Sequence, residues 1–287
     1  MTSQNSCASA NAVAETPARH QRNRRADRDS SRRLALFRDS FQDFMKREVK
    51  RAVWWAANGD ALALPRKLLK PVVLYALRTK RDFALLFYDT PERKPVIDLI
   101  HSIRGEIEML LSNNEAFQIY AAVKAVRKIR GEMAEVGVYQ GGSARLISEA
   151  DREKRLFLFD SFEGIPSTEQ IDESRFCKGQ FAARFQTVQK YLGRFPNVSI
   201  HKGIFPASSA PVVDKRFSFV HLDVDTYEST WECLNFFYPR MNPGGVIISH
   251  DYMSVAGVRL AIDEFFRGKP EAPIEMSGSE QCIIVKV

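Results

Sequence analysis

The sequence predicts a doubly wound, Rossmann-like α/β fold: a mostly parallel sheet with helices on both faces, preceded by a helical N-terminal extension. Three observations predict it. Short apolar runs rich in β-branched and aromatic residues alternate with helical patterns. The first of these runs leads straight into a glycine turn that opens a helix. Two later runs, Phe219-Val220-His221-Leu222-Asp223-Val224-Asp225 and Val246-Ile247-Ile248-Ser249-His250-Asp251, end in acids, and ligands of open α/β sheets bind outside the carboxyl ends of the strands.

Met1 to Arg33 is rich in Ser, Ala, Asn and Arg with almost no large apolar residue, so residues 1–33 are expected to be a disordered basic tail. Residues 34–111 turn helical: Phe41, Phe44, Met45, Val49, Ala52, Val53 and Ala56 recur at i, i+3, i+4 spacing opposite Lys46, Arg47, Lys50 and Arg51. This subdomain is expected to serve as a lid, a dimer contact or a membrane-surface contact. Trp54 and Trp55 beside Lys50 and Arg51, with Arg66, Lys67 and Lys70 around Leu68 and Leu69, suit an anionic membrane surface. Burial of the same apolar face as a lid is the favoured reading.

The α/β domain is expected over residues 112–287. A helix through Val123 and Val126 precedes the strand Met133–Val138, and a helix through Ala144, Leu146 and Ile147 leads to the strand Leu156–Asp160. Further strands are expected around Val198–Ile200, Phe217–Val224, Gly245–Ser249 and Cys282–Val285. Tyr227-Glu228-Ser229-Thr230 begins the helix between the two acid-ended strands, and Phe236, Phe237 and Tyr238 read as its end packed on the sheet rather than as a base-stacking platform.

Composition narrows the function. Net charge is +7, but about ten net positive charges fall in roughly the first eighty residues, so the α/β domain is slightly acidic and nucleic acid is an unlikely partner. Cys7, Cys177, Cys233 and Cys282 show no C-x-x-C spacing, which speaks against a zinc site or disulfide framework and fits a reducing compartment. No run approaches the length of a transmembrane helix, and the N-terminus lacks the apolar stretch of a signal peptide. The expected location is the cytoplasm, with peripheral membrane contact through the basic region.

Side chains at i and i+2 of a strand share a face, which places Asp223 beside Asp225. Carboxylates at a strand end are costly unless hydrated, paired or bound to a cation, so these acids suggest a polar, metal-binding mouth. The bland alternative is a helix cap or a partner for Lys or Arg. His221 lies deeper on the same face and reads as a hydrogen-bonded core residue, whereas His250 stands at the mouth beside Asp251. His101 and His201 read as structural or surface groups.

In Glu135-Val136-Gly137-Val138-Tyr139-Gln140-Gly141-Gly142-Ser143 the glycines allow a tight turn and close ligand approach. Tyr139 sits where a dinucleotide fingerprint places its second glycine, which disfavours a pyrophosphate. Asp160 ends the next strand about twenty residues on, the placement of a ribose-binding acid, so a nucleoside-bearing cofactor is the better reading.

Four blocks carry a family resemblance: Glu135-Val-Gly-Val-Tyr-Gln-Gly-Gly-Ser143, Asp160-Ser-Phe-Glu-Gly-Ile-Pro166, Asp223-Val-Asp-Thr-Tyr-Glu-Ser-Thr230 and Tyr238-Pro-Arg-Met-Asn-Pro-Gly-Gly245. Together they resemble the macrocin O-methyltransferases (TylF/MycF type), class I S-adenosylmethionine-dependent, metal-assisted enzymes, over roughly Glu115 to Val287. The resemblance implies that Glu135, Gly137, Gly141, Gly142 and Ser143, with Tyr139 in the same turn, line the methionine moiety of S-adenosylmethionine. It implies that Asp160 binds the ribose, that Ser161 and Phe162 flank the adenosine, and that Gly203 and Ile204, in the run from His201 to Phe205, pass near the adenine. Asp223, His250 and Asp251 would hold a divalent cation, magnesium first and manganese as the alternative. Asp223 and Asp225 would be the catalytic acids, with Asp225 as the base. One departure is His250, where some members carry an acid; a nitrogen ligand suits manganese, iron or zinc better than magnesium.

The expected activity is O-methyl transfer to a hydroxyl of a sugar or other polyhydroxylated small molecule, in a homodimer. Two other readings compete. One is a membrane- or RNA-associated scaffold with a degenerate methyltransferase domain, against which the retention of Asp160, Asp223, Asp225 and Asp251 counts. The other is a Rossmann-type NAD-dependent dehydrogenase, against which Tyr139 and the absence of a Ser/Tyr/Lys proton-relay spacing count.

Overall fold

The computed structural model describes residues 90–166, 171 and 176–287. The basic tail and the part of the segment expected to be helical up to residue 89, with Trp54 and Trp55, lie outside the described residues. Helix α1 (Lys94–Glu106) starts at a proline and buries Val96, Ile100 and Ile103. Helix α2 (Asn113–Ala125) opens with a full capping box, Ser112 and Glu115 each accepting the other's backbone N–H. Then follow β1 (Glu132–Val136), α3 (Gly142–Ala150), β2 (Leu156–Asp160), α4 (Phe185–Leu192), β3 (Val198–Lys202), β4 (Phe217–Leu222), α5 (Tyr227–Phe237), β5 (Met241–Ser249), α6 (Ala256–Phe266), β6 (Ile274–Glu275) and β7 (Cys282–Val285). Among the described residues no helix is long and apolar enough to cross a membrane.

The seven strands form one sheet in the order β3-β2-β1-β4-β5-β7-β6, parallel from β3 to β5 and antiparallel at β7 and β6. The strand period of two sorts the core into two layers. Met133, Leu156, Leu158, Phe219 and Ile248 face α1, α2, α3 and α4, while Ala134, Phe157, Phe159, Val220 and Ile247 face α5 and α6. The doubly wound expectation is met, including the packing of Phe237, fully buried at the end of α5.

Two strands stop earlier than their sequences suggest. β1 ends at Val136 because Gly137 takes φ 87°, outside the extended region. β4 ends at Leu222, so the alternation that placed Asp223 beside Asp225 does not reach them. A left-handed backbone at Asp225, φ 62°, turns the chain there instead. β6 is an unforeseen addition, two exposed residues paired to β7 at the sheet edge.

Candidate active site

Strand order reverses between β1 and β4, whose first connections run to opposite sides of the sheet, and a crevice opens at their carboxyl ends. A cavity of about 380 Å³ fills it. Its floor is the turn after β1. Gly137 is required there, since a Cβ would lie 1.8 Å from the carbonyl oxygen of Asp223 on the neighbouring chain segment. Asp160 holds the same turn in place: its Oδ2 accepts from the amides of Val138 at 2.7 Å and Tyr139 at 2.9 Å, and its Oδ1 accepts from Phe162 at 2.6 Å.

Most of the residues expected to meet a cofactor reach this cavity: Gly137, Tyr139, Gly142, Ser143, Asp160, Ser161, Gly203 and Ile204 all line it. Three stand behind the wall. Gly141 caps α3 with φ 91° and packs on Leu192. Phe162 is buried against Phe185 at 5.1 Å between ring centres. Glu135 is wholly buried and lies opposite His221 in the sheet register, with 2.8 Å between Oε1 and Nδ1. Burial raises the Glu135 carboxyl, and His221 is the core hydrogen-bonding residue its depth implied. His201 stacks on Phe159 and contacts Ser199 Oγ, a structural placement.

At the far wall Asp223, His250 and Asp251 converge, each with a ligand-type atom within 4.8 Å of the others. His250 Nδ1 lies 3.4 Å from Asp223 Oδ1 and 3.2 Å from Asp251 Oδ2, and its Nε2 lies 3.7 Å from Glu115 Oε2. Despite these neighbours, neither ring nitrogen makes a hydrogen bond of proper geometry, and both are shielded from solvent. Asp225 lines the same cavity, and Asp225 and Asp251 both have φ 62°, a strained backbone for non-glycine residues. The helix-cap alternative is not realised, because Thr226 caps α5 and accepts from Ser229.

The electrostatics follow from crowding. Burial, then the charges of Asp223 and Asp251, push the Asp225 carboxyl well above the ordinary range. Burial and the nearby Asp251 and Glu115 raise Asp223, against the pull of His250. Burial alone would lower the His250 imidazole, but Asp223, Asp251 and Glu115 outweigh it and lift it well above its usual value. Glu115 goes the other way: burial opposes ionisation, yet the His250 ring and the amides of Glu280 and Ser112 hold its carboxyl at about 2.

A divalent cation fits this donor set. Neighbouring ligands of an octahedral cation with bonds of about 2.1 Å lie about 3 Å apart, close to the spacing of Nδ1 and the two carboxylate oxygens. The Nδ1 of this buried imidazole, without a hydrogen bond and aimed between Asp223 and Asp251, supplies the second argument.

Several wall residues carry no motif. Glu108, Met109, Leu110 and Leu111 close one side, and the Tyr139 hydroxyl donates to Glu108 at 2.7 Å. Phe176, Gln180 and Phe181 close another. Cys233 also lines the cavity, and burial pushes its thiol far up, leaving it a poor nucleophile. Glu115 is legible only as the last residue of the S-x-x-E capping signature, which says nothing of its approach to His250.

Comparison with known proteins places these features. The model of the Macrocin-O-methyltransferase (TylF) family matches residues 111–277. The 8-demethyl-8-(2,3-dimethoxy-alpha-L-rhamnosyl)-tetracenomycin-C 4'-O-methyltransferase of Streptomyces olivaceus is 31% identical over 157 residues, 49% of this chain and 59% of that protein. The Mycinamicin III 3''-O-methyltransferase of Micromonospora griseorubida is 28% identical over 155 residues, 48% of this chain and 61% of that one. The chain thus spans less than two thirds of the length of these relatives. Among solved structures, the O-methyltransferase NovP superposes with a TM-score of 0.55 at 24% identity, covering 61% of this chain and 81% of its own. The calicheamicin methyltransferase CalS11 does so with 0.53 at 16% identity, covering 69% and 93%. These two superpositions show the shared fold.

Proposed function

The chain belongs to the macrocin O-methyltransferase (TylF) family, and from that premise we propose that it methylates a hydroxyl of a sugar or other polyhydroxylated small molecule, using S-adenosylmethionine and a divalent cation. The observation that carries this reading is the convergence of Asp223, His250 and Asp251 on the cavity floored by the glycine turn. The named relatives act on glycosylated metabolites, which motivates the acceptor class.

The residues divide the work. The turn from Gly137 to Ser143 offers close backbone approach and the N-terminus of α3 to the cofactor, and the cavity side of Asp160 faces its ribose. Asp223, His250 Nδ1 and Asp251 would hold the cation, which when bound lowers the pKa of an acceptor hydroxyl and orients it. Asp225, whose carboxyl is raised by burial and by its acidic neighbours and which lines the same cavity, would take the hydroxyl proton. Holding donor and acceptor in one partly enclosed cavity supplies the proximity contribution.

Calorimetric titration of S-adenosylmethionine and NADH, each with and without magnesium or manganese, tests the cofactor. Selective binding of S-adenosylmethionine is expected; its absence under every metal condition would remove the methyltransferase reading. With a hydroxylated acceptor in hand, Asp225→Asn should lower kcat by about 10²–10⁴-fold while leaving S-adenosylmethionine affinity unchanged. EDTA should abolish turnover, and full activity in EDTA would refute metal assistance.

A further inference from the structure

We propose that Glu115 is a positioning residue for His250, fixing the imidazole so that Nε2 faces Glu115 and Nδ1 faces the cation. The inference rests on the metal-assisted reading above and adds to it a residue outside the cavity wall. A ring has two nitrogens and, when it binds a metal, the proton must sit on the other one. Which nitrogen carries it is decided by the partner of the second nitrogen, most often a carboxylate.

The geometry sorts the two nitrogens. Nδ1 lies 3.2 and 3.4 Å from the oxygens of Asp251 and Asp223, inside the cluster, while Nε2 points to Glu115 Oε2 at 3.7 Å. Glu115 is 5% exposed and is itself fixed from both sides. Its Oε2 accepts from Ser112 N at 2.7 Å within the capping box, and its Oε1 accepts from Glu280 N at 2.9 Å in the loop before β7. The carboxylate is therefore held by the start of α2 and by that loop, independently of the strands that carry Asp223, His250 and Asp251. At 3.7 Å the pair is an ion-pair approach rather than a hydrogen bond, and the proposal requires the imidazole to close that gap when Nδ1 holds the cation.

The prediction is specific to an imidazole at this position. An aspartate at residue 250 would present no N–H for Glu115 to orient, leaving Glu115 only a through-space attraction for the cation. Glu115 and His250 should accordingly behave as one unit, non-additive in a double-mutant cycle.

The test uses the full chain as wild type, Glu115→Gln, His250→Asp and the double variant, each titrated calorimetrically with manganese chloride. Glu115→Gln should weaken manganese binding about 10- to 100-fold, with S-adenosylmethionine affinity unchanged as the control for folding. In the His250→Asp background the same substitution should bring a markedly smaller loss, the through-space part alone. An equal loss in both backgrounds would make Glu115 a structural residue and overturn the proposal, as would no loss in either. If the wild type binds no manganese, the metal-assisted reading itself fails, an outcome distinct from the others. Should Glu115→Gln not fold, the imidazole ¹⁵N spectrum of the zinc-loaded wild type decides: Nε2 protonated with Nδ1 on the metal is expected, and the reverse assignment overturns the proposal.

Discussion

Gly137 shows how little room a single position can leave. Its φ of 87° and the 1.8 Å approach of a would-be Cβ to the Asp223 carbonyl oxygen impose two separate penalties on any side chain. Gly137→Ala should therefore destabilise the protein by more than about 3 kcal/mol or prevent soluble expression, because the ends of β1 and β4 must part. Urea unfolding checks this, and a loss under about 1 kcal/mol would contradict the close approach. Gly268→Ala is the control, with a similar φ of 83° but open space around the Cβ. The need for glycine in this turn was legible in the sequence, as was the placing of Asp223 and Asp251 at strand mouths, while the grouping of His250 with them was implied by the family resemblance. The left-handed backbone at Asp225 and Asp251 was not, since aspartate at φ 62° obeys no local pattern. Nor was the approach of Glu115 to His250, which depends on how α2 docks against the end of β5.

The elements that could be read ahead were those with enough apolar residues to show a period. β2, β4 and β7 announce themselves as runs of Phe, Leu, Ile and Val, whereas β6 is two exposed residues whose strand character comes wholly from pairing with β7. What ties the last strand down is similarly non-local. Glu271 accepts from Lys286 Nζ at 2.6 Å, from the Tyr238 hydroxyl at 2.7 Å and from Val287 N at 3.2 Å, so it links the residues after α6, α5 and β7. Burial opposes its ionisation, but these donors win and hold its carboxyl at about 2, below the ordinary 4.5. A depressed carboxyl stabilises the fold fully above its unfolded pKa and loses that contribution as pH falls toward its folded pKa. Glu271→Gln should thus be less stable at pH 7, and its stability should fall less steeply than the wild type's between pH 4.5 and pH 2. Parallel unfolding curves across that window would show that the cluster contributes nothing.

For the whole molecule the sheet order decides where function can reside. The reversal between β1 and β4 opens a crevice, and Gly137, Asp160, Asp223 and Asp251, spread along the chain, meet there. The blocks beginning at Glu135, Asp160 and Asp223 pointed to this site because each lies at the carboxyl end of a strand, whereas Tyr238–Gly245 leads into the start of β5 and lines no part of the cavity. The walls formed by Glu108–Leu111 and by Phe176, Gln180 and Phe181 stayed invisible because they come from connections without periodicity. Ligand binding to the native crevice alone should stabilise the entire fold. S-adenosylmethionine at a hundred times its Kd is expected to add about 2.7 kcal/mol, and to raise Tm by about 4–5 °C at this chain's size. A scan without a shift would mean that the folded protein does not bind S-adenosylmethionine at these concentrations. The clasp that Asp160 makes on Val138, Tyr139 and Phe162 carries a kinetic consequence. The glycine turn is already held in its conformation, so if S-adenosylmethionine docks there this turn does not have to order itself around the guest, and the association should follow a single exponential whose rate rises linearly with ligand concentration.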